Sequence, residues 1–388
     1  MSSPQVVISA RGEERVRAGH PWIYRSDVVD VDAGGGDLVR VIGPRRREIG
    51  SALLSDRSQI ALRMLTTGSD VADDALIAAR IERALAFRRA LGLDATAYRL
   101  VHAEADLLPS LVVDKYDDHL VVQTLSQGME RLQPLVVRIL VDALAPAGIL
   151  LRNDPKVRAL EGLPTVVDVV HGTVPETVSV REGPVRYEVD LWKGQKTGLF
   201  LDQRENREAA ARYARGRLLD AFSYQGGFAL YLSPQCDTVE ALDVSSEAVA
   251  RIRLNAERNG ATNVDVREAN VFDELRRLER AGARYETIVL DPPAFAKNKA
   301  SVPNALAGYK EINLRAMRLL EPGGYLVTCS CSYNVSETMF VDVVHAAAAD
   351  AGVSMALVEK RAQGRDHPIL IGVPETHYLK CCILRRLA

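Results

Sequence analysis

What this sequence lacks narrows it first. No apolar run approaches the ~20 residues that a membrane-spanning helix needs. The amino-terminal stretch MSSPQVVISARGEE has no charged-then-apolar plan of a signal peptide. A cytoplasmic location and no membrane partner are therefore expected. The 5 cysteines, with Cys381 and Cys382 adjacent, make no disulfide framework and fit a reducing compartment. Cys329-Ser330-Cys331 has no second cysteine pair at ligand spacing, so no metal is expected. An excess of one charge is missing too. A formal net charge of −2 gives no global pull toward nucleic acid, and any such contact must use local basic patches. Two nucleotide fingerprints are absent. The glycine turns do not read G-x-G-x-x-G, and Gly194-Gln195-Lys196-Thr197-Gly198 lacks the order G-x-x-x-x-G-K-[ST].

What is present suits a soluble globular chain, with 47% hydrophobic and 26% charged residues. At 388 residues it is too long for one ordinary core. Residues 1–68 read as a small β-barrel, with short apolar runs at 6–9, 37–42, 48–54 and 60–65 between turn signals. Residues 11–18 read as a short helix carrying Arg11 and Arg15, followed by a Gly-His-Pro-Trp turn with Trp22. These three side chains are candidate RNA contacts. Residues 69–176 read as a mixed α+β module in the order strand, strand, helix, strand, strand. His102, His119 and His171 stand isolated there. From residue 177 to 388, strands and helices alternate, which implies a mostly parallel, doubly wound α/β sheet. Asp202 is expected to cap the helix that follows it.

The stretch that organises this last region is LLDAFSYQGGFALYLSPQCDTVEALDVSSE, residues 218–247. It reads as strand, glycine turn, helix, strand, and its two strand-end acids, Asp220 and Asp243, lie 23 residues apart. A strand-end carboxylate roughly 20 residues after a glycine turn is placed to grip ribose hydroxyls. Gly226 and Gly227 would let a ligand approach the backbone. An acid ending the first strand sits badly beside a pyrophosphate, but suits the sulfonium and ammonium of S-adenosylmethionine. The cofactor expected is therefore the methyl donor rather than NAD.

Asp220, Asp243, Asn270, Asp291 and Cys331 all fall at carboxyl ends of predicted strands, where open α/β sheets bind ligands. Asp291-Pro292-Pro293-Ala294-Phe295 adds a stiffened turn, because prolines remove amide donors. Its carboxylate can meet the ring nitrogen or amine of a nucleobase, and Phe295 can stack on a flipped base. Cys331 offers a thiol. Methylating C5 of a pyrimidine needs a nucleophile on C6, whereas methylating an exocyclic amine does not. Along a strand Cys329 and Cys331 share a face, and Cys331 lies nearer the carboxyl end, with Cys329 deeper and inert. From these residues alone three readings stand: a C5 methyltransferase, an amine methyltransferase acting on a purine in RNA, and an RNA-binding assembly factor with an idle domain.

The motifs resemble those of the bacterial 23S rRNA large-subunit methyltransferase I family, which makes 5-methylcytosine. The likeness covers nearly the whole chain. It rests on Gly19–Tyr24, Gly194–Gly198 with Leu201-Asp202-Gln203-Arg204, Asp220–Gly227, Asp291-Pro292-Pro293, Ser330-Cys331-Ser332 and Asp366-His367-Pro368. The resemblance implies a PUA domain, a central module and a Rossmann-like class I methyltransferase domain. It makes Cys331 the nucleophile, with Asp291 also catalytic. Asp220, Phe222, Gly226, Gly227, Asp243, Asn270, Asp291, Lys196, Thr197 and Gln203 are the expected cofactor contacts. Pro292, Pro293, Phe295, Arg11, Arg15 and Trp22 are the expected substrate contacts. The implied partner is 23S rRNA or a large-subunit assembly intermediate, and a homodimer is compatible with this reading. Asn270 stands where the family often has aspartate, and its amide oxygen is expected to accept from the adenine amine.

Overall fold

The computed structural model describes residues 4–388. The chain folds as two compact units. The first holds residues 1–180, 189–198 and 365–376, and the second holds 181–188, 199–364 and 377–388. Both stretches expected to be separate, 1–68 and 69–176, fall in the first unit. No helix of the described residues is long and apolar enough to cross a membrane.

The first unit opens with a six-stranded sheet. Period-two alternation buries Val6, Ile8, Val39, Val41, Leu62 and Met64 on one side. The runs at Leu38–Ile42, Glu48–Leu54 and Ile60–Met64 are strands. Trp22–Tyr24, expected as a turn, is a strand as well, because it pairs antiparallel with Ile60–Arg63. Val28–Asp32 is a further strand, formed by pairing with Gln5–Ile8. Neither pairing is visible from local sequence.

A five-stranded sheet follows, running from Val166–Gly172 at one edge to Ala97–His102 at the other. Three strands, not two, precede the helix Gln127–Leu144. That helix is started by Ser126, which accepts from the Met129 amide. Leu53 and Leu65 pack in one core with Ile77, Ile81, Val113 and Val122. Excising residues 1–68 would therefore strip this shared core, so point substitutions are the proper probe of the barrel. A hairpin, Thr177–Glu182 with Val185–Asp190, turns at Gly183.

The second unit is a seven-stranded sheet. Its strands are β1 (Arg217–Ala221), β2 (Thr238–Asp243), β3 (Val264–Glu268), β4 (Tyr285–Leu290), β5 (Leu320–Ser330), β6 (Met355–Arg361) and β7 (Lys380–Arg386). Its helices are α1 (Arg204–Ala211), α2 (Gly227–Leu232), α3 (Ser246–Arg258), α4 (Val271–Arg280), α5 (Val302–Leu319) and α6 (Glu337–Ala351). The strand order is β3-β2-β1-β4-β5-β7-β6. β3 through β5 are parallel, and β7 runs antiparallel to both β5 and β6. Parallel sheets are covered on both faces. Accordingly, Leu219, Ala221 and Leu242 enter one core, while Leu218, Val239 and Ala241 enter the other.

One local expectation fails for an identifiable reason. Asp202 does not cap α1. Its Oδ2 accepts from the Tyr378 hydroxyl at 2.7 Å, and Gln203 occupies the cap without a side-chain capping bond. α5 starts at Val302, because Asn298 and Ser301 form a capping box ahead of a proline in the first turn.

Candidate active site

The sheet order decides the site. β1 lies between β2 and β4, so the chain leaves β1 toward both sides and opens a crevice at its carboxyl end. Because β3, β2, β1, β4 and β5 are adjacent and parallel, Asn270, Asp243, Asp220, Asp291 and Cys331 follow one another along a single sheet edge.

The loop after β1 is held in a costly shape. Phe222 and Tyr224 have φ of 67° and 52°, in the left-handed region, and Gly226 has 81°. Each non-glycine residue there costs roughly 1–2 kcal/mol. Hydrogen bonds fix the loop: Tyr224 N donates to Asp243 Oδ2 at 2.9 Å, and Ser223 N donates to Leu242 O at 2.9 Å. The glycines are required by packing. A Cβ on Gly227 would lie 2.7 Å from Arg207 Nε, and one on Gly226 would crowd Leu230 and Ile252. Close contact with the protein's own side chains thus accounts for glycine at both positions.

Asp220 is buried. Its Oδ2 accepts from Ser223 Oγ at 2.5 Å and from Ala229 N at 2.8 Å, while Oδ1 is enclosed with no hydrogen-bond partner among the described residues. Burial pushes its pKa up to about 7. The Ser223 and Ala229 bonds pull the other way, Asp291 adds to the rise, and Arg207 opposes it. An orphaned carboxylate oxygen, poised to ionise, fits a cationic ligand such as the sulfonium or ammonium of S-adenosylmethionine.

Asp243 spends one lone pair of each oxygen on the loops, accepting from Tyr224 N and from Ser245 N at 2.9 Å. Its remaining lone pairs suit two ribose hydroxyls. Asp243→Ala should weaken S-adenosylmethionine binding by roughly 1.5–3 kcal/mol, about 10- to 150-fold, the usual weight of hydrogen bonds to a charged group. Calorimetry showing unchanged affinity would remove Asp243 from the site. Asn270 is the N-cap of α4. Its Oδ1 accepts from Phe272 N at 3.0 Å and Asp273 N at 3.4 Å, so the oxygen expected to meet adenine is committed to the helix.

At the other end of the edge, Gln203 Nε2 donates to Asp291 Oδ1 at 2.8 Å and orients that carboxylate. Pro292 is buried and Pro293 exposed. The Asp-Pro-Pro turn is tied to the loop after β5 at two points. Cys331 Sγ lies 3.8 Å from Pro292 O, and Ala296 N donates to Ser332 Oγ at 3.0 Å. The Phe295 ring is half-buried among other aromatics, 4.7 Å from Tyr309 and 5.9 Å from Phe272 between centroids. It is therefore part of an aromatic wall that also holds Phe222, rather than a freestanding platform. Cys331 is half-exposed, whereas Cys329 is fully buried opposite Cys381. Burial, with Cys381 adding, raises the Cys329 thiol well above the ordinary range.

The remaining expected contacts belong to the first unit. Thr197 Oγ1 donates to Asp114 Oδ2 at 2.6 Å and sits 2.9 Å from the Tyr116 hydroxyl, with Lys196 exposed on the same turn. Arg11 and Arg15 share the buried Asp27, at 2.5 Å and 3.6 Å, and Arg15 also lies over the Tyr24 ring. Trp22 Nε1 donates to Glu104 at 3.0 Å. His102 is not isolated: it packs edge-on against His367, with ring centroids 5.1 Å apart, and Arg99 lies 3.1 Å from its Nδ1.

Two residues of the second unit escaped the sequence reading. Arg207 is buried, and one of its nitrogens donates to both Glu182 oxygens, at 2.8 and 2.7 Å, which holds its pKa up against burial. Its signal is the second arginine of Asp202-Gln203-Arg204-Glu205-Asn206-Arg207. Lys380 is also buried, and its signal is a lone charge at the head of the apolar run Lys380–Leu384.

Comparison with known proteins gives the family. A family of S-adenosylmethionine-dependent methyltransferases matches residues 129–382, and a PUA-like domain matches residues 6–67. The ribosomal RNA large subunit methyltransferase I of Shewanella denitrificans is 40% identical, covering 96% of this chain and 97% of that protein. The protein of the same name from Tolumonas auensis is 38% identical over 99% of this chain and 100% of its own. Among solved structures, a candidate methyltransferase complexed with SAH superposes with a TM-score of 0.84 at 18% identity, over 98% of this chain and 99% of that one, a likeness of fold. The chain belongs to the ribosomal RNA large subunit methyltransferase I family, S-adenosylmethionine-dependent methyltransferases with a PUA-like domain at the amino-terminal end.

Proposed function

We propose that this enzyme methylates C5 of a cytosine in large-subunit ribosomal RNA, through a covalent bond between Cys331 and the base. The observation that carries the reading is the position of Cys331. Of the five cysteines it alone is not buried, and its loop is bonded to the Asp291-Pro292-Pro293 turn. The names of these relatives, matched over nearly their whole length, support ribosomal RNA as substrate.

S-adenosylmethionine held at this edge would supply an electrophilic methyl group. Asp220, through Oδ1, faces its positive charge, and Asp243 takes the ribose hydroxyls. Asn270 recognises the adenine through its amide NH2, because its oxygen is held by α4. It therefore donates to a ring nitrogen rather than accepting from the amine. Asp291, oriented by Gln203, hydrogen-bonds the cytosine ring nitrogen or amine. The aromatic wall of Phe222 and Phe295 excludes water beside it. The Cys331 thiolate adds to C6, and the C5–C6 electron pair becomes available at C5 to take the methyl group. Loss of the C5 proton to a base and cleavage of the S–C6 bond return the thiolate. Arg11, Arg15 and Trp22 are proposed RNA contacts, with Arg11 the more exposed of the two arginines.

The test is transfer of labelled methyl to ribosomal RNA from a strain lacking the enzyme, followed by mass analysis of nucleosides. The expected product is 5-methylcytosine. A methylated purine would move the function to amine methylation, and no transfer to any RNA would leave an assembly factor.

A further inference from the structure

A buried ammonium ordinarily holds a carboxylate. Lys380, the first residue of β7, is 3% exposed and forms no ion pair among the described residues. Its Nζ donates instead to two backbone carbonyls, Ser332 O at 2.7 Å and Tyr378 O at 2.8 Å. A lysine nitrogen has three directions to satisfy, so one remains after these two bonds. Lys380 also stands opposite Ser330 in the β5–β7 pairing. Cys331 thus lies between the residue that Lys380 faces and the residue that it bonds.

We propose that Lys380 is the positioning residue that favours the thiolate of Cys331, its buried ammonium held against the backbone of the loop that carries the sulfur. This rests on the reading of Cys331 as nucleophile. The S–H bond breaks, sulfur keeps the electron pair, and the proton passes to solvent, to which half-exposed Cys331 is open. The two carbonyls hold the ammonium in place throughout. When the S–C6 bond later breaks, the same ammonium faces the departing sulfur.

The electrostatics agree. Burial lowers the Lys380 pKa to about 8, with Cys331 and Glu337 opposing the fall. Below that value Lys380 carries its proton, and a neighbouring ammonium is the charge that stabilises a thiolate. Glu337 is itself bonded to Lys360. Tyr309, whose hydroxyl bonds Ser330 and Ser332, is raised by burial, with those two bonds opposing and Cys331 adding, and stays neutral.

Lys380 could instead only pin two carbonyls, and the thiol separates these roles. The measurement is alkylation of Cys331 by iodoacetamide against pH in the full-length protein, read on the peptide carrying Cys331. Two variants are compared: Lys380→Met, and Lys380→Gln, which keeps N–H donors for the carbonyls and removes the charge. Both are expected to move the midpoint of the profile up by about one unit or more, a fall of about tenfold in rate at pH 7. Unchanged cofactor affinity by calorimetry reports that the fold is intact. A midpoint that stays in place in whichever variant retains cofactor affinity would overturn the proposal. This readout does not depend on which base is methylated. A methylated purine as product would sink the C5 reading and leave the thiol measurement standing. A 5-methylcytosine product with an unmoved midpoint would sink the Lys380 proposal alone.

Discussion

Cys331→Ala is expected to abolish methyl transfer, by about a thousandfold or more, while S-adenosylmethionine binds as in the parent. Removing a covalent nucleophile takes away a step that the rest of a site cannot replace. Cofactor affinity should survive because Asp220, Asp243 and Asn270 stand at other strands of the edge, β5 being at the far end from β3. RNA carrying 5-fluorocytosine should trap the parent as an adduct through Cys331, since fluorine cannot leave as a proton. Cys329→Ala is the control. Cys329 is packed against Cys381 and Ile383 in the sheet core, and losing one sulfur there costs about 1 kcal/mol with most activity kept. An adduct that mapped to Cys329, or that formed equally in Cys331→Ala, would show the assignment to be wrong.

Asp220→Asn should weaken S-adenosylmethionine by roughly 3–5 kcal/mol, about 150- to 5,000-fold, the cost of leaving a buried charge without its partner. The asparagine keeps the shape and can still accept from Ser223 and Ala229, so folding should be little changed. pH gives an independent signature. With a pKa near 7, Asp220 is mostly protonated at pH 6 and must release its proton to face a cation. Affinity should therefore rise about tenfold between pH 6 and pH 8 in the parent, and this rise should be absent in Asp220→Asn. Titration of the ligand is common to both proteins and cancels in their ratio. The ligand-free protein should show the opposite trend in stability. The Asp220 pKa is raised above the ordinary 3.8, so between about pH 4 and pH 7 the folded state holds a proton that the unfolded state has lost. The stability contributed by neutral Asp220 is complete below that range and is lost as pH rises through about 7. A flat ratio of affinities across this range would take Asp220 out of contact with the cofactor's charge.

The sequence alone determined the alternation of strand and helix after residue 177, the identity of the polar residues at the strand ends, and the cofactor class. Those features are local. Apolar runs of strand length, glycine turns and an acid 23 residues beyond another acid are fixed by neighbours within one βαβ unit. The inert depth of Cys329 was legible for the same reason, since side chains alternate along a strand. Where a residue's role depended on partners far along the chain, the sequence was silent or misleading. Trp22–Tyr24 is a strand only because it pairs with Ile60–Arg63. Asp202 looks like a helix cap until Tyr378 takes its carboxylate. Asn270 carries an amide oxygen that looks open to adenine until the first amides of α4 claim it. Gly227 reads as an opening for a ligand, and only the fold shows that its missing side chain also makes room for Arg207. Lys380 is the extreme case. In sequence it is one charge at the head of a closing strand. Only the antiparallel return of β7 beside β5 sets it opposite Ser330 and brings Nζ to Ser332, next to Cys331. Local spacing fixes what each segment becomes, but the order of strands in a sheet is decided by which buried faces fit together, and that order alone put five strand ends and one buried lysine at the same edge.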